Sequence, residues 1–133
     1  MSEKTNKIIV NRFFEEVFNG RNLALIDDLI SPAFTNHNAS LKVQSAEGVK
    51  RAVAAQFAAF PDIHTTIEDM IVEGDKVVVR AKDSFTRQMD GKRVDLSWIE
   101  ILRLEGGKIA EAWIEADMQA FADQFKQELE EKH

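Results

Sequence analysis

The chain has 133 residues, enough for one domain with a genuine core. Its net charge of −6 argues against a nucleic-acid partner, and the lack of cysteine excludes disulfides and thiolate chemistry. No apolar run approaches the roughly 18 residues of a membrane span, and no secretory leader is visible, so no membrane contact and a cytoplasmic protein are expected.

Residues 5–18 have an amphipathic helical pattern, with Ile8, Ile9, Phe13, Val17 and Phe18 near one stripe, and Asn19-Gly20 stops it. A short second helix over 23–30 turns Leu25, Ile26, Leu29 and Ile30 inward and ends at Ser31-Pro32. Residues 33–38 form a short polar extended piece. A third helix over 46–60 carries Val49, Val53, Phe57 and Phe60 on one stripe, and its alanines permit close packing. From Ile63 the pattern changes to strands. The segments 63–73, 76–87, 93–104 and 106–117 are separated by Gly74-Asp75, Asp90-Gly91 and Gly106-Gly107 turns. Four such strands make an antiparallel meander, and a last helix over 118–132 closes the chain. The expectation is one α+β domain over 1–133, a curved antiparallel sheet with helices on its concave side enclosing a hollow.

The last strand is the most informative. Alternation puts Ile109, Glu111, Trp113, Glu115 and Asp117 on one face and Ala110, Ala112, Ile114 and Ala116 on the other. A large indole seldom faces bulk solvent without a reason, so the Trp113 face is expected to look into the hollow. Asp117 would then sit where strand gives way to helix, either as an acid/base group with a raised pKa or as a helix N-cap. In the preceding strands Asp83 and Phe85 align with Val79 and Ala81, so Asp83 is either buried and paired or in a pocket. Trp98 and Glu100 alternate with Ile99 and Ile101. Either Glu100 enters the hollow or a second subunit covers an apolar outer face formed by Ile99, Ile101 and Ile114. No metal site is expected, since His37, His64 and His133 lack ligand spacing.

Taken together, AFTNHN, FPDIHTTIEDMIVEGDKVVVR and GKIAEAWIEAD resemble the SnoaL-like polyketide cyclase (ester cyclase) branch of the NTF2-like superfamily over nearly the whole chain. The resemblance implies the same α+β cone. It implies Asp117 as the acid/base aspartate and His37 as its imidazole partner, acting without cofactor on a small hydrophobic carbonyl compound. Trp113, Asp83, Phe85, Arg87, Trp98, Glu100 and Phe57 would then contact the substrate, and a homodimer through the sheet is expected. Arg87 departs from the family pattern, which has histidine there. The ketosteroid-isomerase branch needs a tyrosine, which this chain lacks, and the limonene-epoxide-hydrolase branch pairs the aspartate at position 83 with an arginine where Ala81 stands.

Overall fold

The computed structural model describes residues 2–38 and 42–131, with side chains described through residue 124. α1 (Glu3–Arg12) starts at an N-cap Ser2, whose hydroxyl accepts from the Thr5 backbone N–H. The helix continues as a π-helical segment, Phe13–Asn19. Widening the turn brings Phe13, Phe14 and Phe18 together on the inner side, where all three border the cavity described below. Gly20 closes this segment because a Cβ there would lie 2.5 Å from the Glu16 carbonyl oxygen. Ile8 of the expected stripe is instead half exposed, and Val10 and Phe14 take the buried positions. A 3-10 turn (Leu23–Leu25) and the short α2 (Ile26–Leu29) lead into β1 (Ile30–Asn36).

After α3 (Ser45–Ala59), four strands follow: β2 (His64–Glu73), β3 (Lys76–Thr86), β4 (Arg93–Glu105) and β5 (Lys108–Ala116). They form the expected meander, and β1 joins it as a fifth strand, parallel to β5, giving the order β1-β5-β4-β3-β2. The polar AFTN sequence hides this strand because it borrows its partner from the far end of the chain. Bulges between Ile67 and Asp69 and between Arg103 and Leu104 bend the sheet, since an extra residue on one strand increases local twist. Gly106 and Gly107, both at positive φ, make the tight turn joining β4 to β5.

The register sorts the two faces. Val79, Glu100 and Ile114 lie side by side on the inner face, as do Ala81, Trp98 and Ala116. Val78, Ile101 and Trp113 align on the outer face. The core lies between the inner face and the helices, centred on Val10, Val17, Ile26, Val77, Val79 and Ile109. α4 (Met118–Glu131) packs beside β4, where the Gln124 side chain bonds both the N–H and the carbonyl of Asp95. Among the described residues no helix is long and apolar enough to cross a membrane.

Candidate active site

Large residues fill space and small ones leave it. On the inner face Ala112 lies opposite α3, whose Gly48, Ala52, Ala55 and Ala59 turn toward the sheet. The gap between them is a cavity of about 1000 Å³. Its walls are largely apolar, from Phe13, Phe14, Phe18, Phe34, Val49 and Ile114, with a few polar groups among them. That is the make-up of a small-molecule site.

Two carboxyls enter this cavity. Asp83 is buried at 9% exposure, and one oxygen accepts a 2.6 Å hydrogen bond from the Thr65 hydroxyl. Burial raises its pKa. The Thr65 bond and the nearby Trp98 N–H pull in the opposite direction by favouring the ionised form. The indole nitrogen falls short of full hydrogen-bond geometry and has no other partner among the described residues, so it remains a buried donor beside the cavity. Trp98 is fixed by the Phe14 ring, 5.4 Å away between centroids. Thr65 is fixed by Asn19, whose amide accepts from the Thr65 N–H at 2.9 Å and donates to its carbonyl at 2.8 Å.

Glu100 is the second carboxyl. It makes no hydrogen bond or ion pair with any described residue, and the surface it keeps faces the cavity. Burial, and then the charge of Asp83, push its pKa up to about 8. The two carboxyls therefore differ in kind: Asp83 has donors that support its charge, and Glu100 has none.

The structure does not bring Asp117 and His37 together. Asp117 is exposed and caps α4, with its Oδ1 accepting from the Ala120 N–H at 3.0 Å and its own N–H bonded to the Ser97 carbonyl at 2.9 Å. His37 lies on the outer face, stacked on Trp113 at 4.9 Å between centroids and bonded through Nε2 to Glu111 at 2.7 Å. Glu111 also accepts from Arg103 at 2.6 Å, and these partners, His37 first, hold its carboxyl below the usual range. Trp113 thus faces outward, opposite to expectation. A bulge at Ala110 resets the alternation, so Ile109 and Ala112 both turn inward while Glu111 and Trp113 turn out.

Three further expected contacts are displaced. Arg87 pairs with Asp90 across the β3–β4 turn, reaching neither Asp83 nor Asp117. Phe85 is buried behind the wall, with its ring centroid 4.2 Å from that of Phe60. Phe57 packs on Phe18, and the Arg21 guanidinium covers its ring at 4.3 Å. Ile114, expected on the outer face with Ile99 and Ile101, lies inside opposite Glu100. Asp83, Trp98 and Glu100 do line the cavity. Thr65, Asn36 and Asn38 line it too and were not singled out by the sequence reading. The signal for the asparagines was available: alternation places both opposite His37. Among the described residues no group of three or more His, Asp or Glu is gathered to hold a metal.

Replacing Asp117 by alanine is expected to cost about 1 kcal/mol through the lost cap and to leave ligand binding in the cavity unchanged. Urea denaturation and a ligand titration check the two halves separately.

Comparison with known proteins agrees with this architecture. The SnoaL-like polyketide cyclase model matches residues 8–125. A solved structure from Bacillus cereus ATCC 10987, described as a candidate polyketide cyclase, is 32% identical with a TM-score of 0.77, covering 93% of this chain and 84% of that one. A candidate SnoaL-like polyketide cyclase from Jannaschia sp. CCS1 is 24% identical with a TM-score of 0.80, covering 89% of each chain. IdmH from Streptomyces antibioticus, described as a candidate polyketide cyclase, is 22% identical with a TM-score of 0.80, covering 91% and 98%. No curated protein matches this chain in sequence. With the family model spanning nearly the full length on an NTF2-like sheet and helix arrangement, the chain belongs to the SnoaL-like polyketide cyclase family.

Proposed function

We propose that this chain is a cofactor-free enzyme that moves a proton alpha to a carbonyl of a small hydrophobic compound, leading to cyclisation or isomerisation. The observation that carries the proposal is the pair of unlike carboxyls, Asp83 and Glu100, inside one apolar cavity. Asp83, supported by Thr65 and Trp98, takes the alpha proton as base. Glu100, protonated at neutral pH, gives its proton to the carbonyl oxygen, so an enol forms without a free enolate in an apolar site. Return of a proton to a different carbon isomerises the compound. Attack of the enol carbon on a second carbonyl closes a ring, with the enol O–H proton returning to Glu100 and the proton held by Asp83 passing to the new alkoxide oxygen.

The test is solvent-deuterium wash-in, followed by NMR, on a panel of cyclic ketones and β-keto esters. The wild-type protein is expected to speed exchange at the alpha carbon, and Asp83→Asn to slow it by about 10²–10⁴-fold. Exchange that is unchanged in Asp83→Asn removes this assignment. A second reading is a binding protein without catalysis. It is favoured by the position of His37 and Asp117 outside the cavity, and it predicts ligand binding with no exchange at all.

We also propose that the outer sheet face pairs with a second copy of the chain. Ile99, Ile101 and Trp113 lie together there with exposures of 48%, 37% and 36%, a contiguous apolar surface that water disfavours. Light scattering should give a dimer mass that Ile101→Lys lowers to the monomer. A monomer mass at every concentration sinks the idea.

A further inference from the structure

The opening of the cavity has its own chemistry. Its exposed lining residues include Lys42, from the segment that runs against the end of β1, and Arg51, from the second turn of α3. Neither makes an ion pair or hydrogen bond with any described residue. The neighbouring Lys50 shows the contrast, since Asp27 accepts from it at 2.6 Å and Glu47 lies 3.9 Å away. In a chain carrying −6 overall, two exposed cations with no acidic partner among the described residues border the same cavity. Gln44 and Gln56 complete the polar rim, while the walls below are apolar and the carboxyls lie deep.

We propose that the rim binds a carboxylate carried by the substrate, so that the ligand is an amphipathic keto acid with its anion at Lys42 and Arg51 and its carbonyl beside Asp83 and Glu100. This rests on the reading of the cavity as a substrate site. The planar guanidinium fork matches a carboxylate. A phosphate presents a similar pair of oxygens to the fork, and the titration below separates the two. The arrangement also fixes direction. The apolar walls at depth disfavour the anionic end, and the cationic opening retains it.

The experiment titrates the isotope-labelled protein by NMR at pH 6.5 with 2-naphthylacetate and its uncharged match, 2-naphthylacetamide, in low salt and in 0.5 M NaCl. The acetate is expected to bind about 5- to 10-fold tighter in low salt, as two partly exposed ion pairs allow. That preference should fall below about 2-fold in 0.5 M NaCl and in the Lys42→Gln/Arg51→Gln double variant. Equal affinity of the two probes, or a preference that survives the double substitution, overturns the carboxylate site and leaves the cavity reading standing. If neither probe shifts cavity resonances, both fall. 2-Naphthyl phosphate binding tenfold tighter than the acetate would also overturn the choice of carboxylate.

Discussion

Replacing Glu100 by glutamine is expected to remove most of the loss of stability that the wild-type protein shows on going from pH 5 to pH 8.5. In the folded chain Glu100 keeps its proton up to about 8, because burial and Asp83 disfavour its charge. In the unfolded chain it releases that proton near the ordinary glutamate value of 4.5. Between these two values the folded state binds more protons, so stability falls as pH rises and levels off above about 8. The gap, at about 1.4 kcal/mol per pH unit, sets an upper bound on the order of 5 kcal/mol, which water entering the cavity reduces. Glutamine has the same shape and no charge to desolvate. Below about pH 4.5 the two proteins should be nearly equally stable, and above pH 8 the variant should be clearly more stable. Asp62 and Glu111 do not interfere, because their pKa values are lowered and their contribution is lost only at the acid edge. Urea denaturation at pH 5 and pH 8.5 measures the effect, and parallel pH curves for the two proteins would count against it.

The next largest effect is expected at Arg21, which is far from Asp83 and Glu100 in sequence and holds the frame around them. Its guanidinium donates to the carbonyls of Phe18 at 2.7 Å, Pro61 at 3.1 Å and Ile63 at 2.6 Å, and lies over Phe57. It thereby ties the end of the π-helical segment to the start of β2, where Thr65 supports Asp83. Arg21→Ala leaves three carbonyls without their charged donor and is expected to cost about 2–3 kcal/mol. For a chain of this size that corresponds to a fall of about 8–12 °C in melting temperature. Lysine should restore less than half, since a single ammonium cannot span three carbonyls. Full rescue by lysine would show that charge, not the fork geometry, is what matters there.

Much of the architecture was legible because periodicity reports directly on local backbone. The Gly74-Asp75, Asp90-Gly91 and Gly106-Gly107 turns mark the meander, and the helical stripes mark the layer above it. β1 was not legible as a member of the sheet, since its pairing with β5 is non-local and its residues are polar. The cavity was misread for a different reason. Trp113 suggested a hollow, yet the hollow lies where Ala112, Ala52, Ala55 and Ala59 leave room, and one bulged residue, Ala110, turned the indole to the outer face. The alanines of α3 permit vacancy as well as close packing. Asp83 and Glu100 could be placed on apolar strand faces from the sequence. Their mutual influence needs the register that sets β3 beside β4. Asp117 occupies its place as a cap, a role that strand alternation cannot distinguish from a pocket position.

Carbon-13 NMR of the glutamate side-chain carboxyls, with Glu100→Gln to assign the resonance, reads the protonation of Glu100 itself. A midpoint near pH 8 is the result predicted for an unpartnered acid inside an apolar chamber, ready to give a proton at neutral pH. A midpoint near 4.5 would mean that this carboxyl is solvated like any surface glutamate, and the proton-transfer site proposed above would not exist.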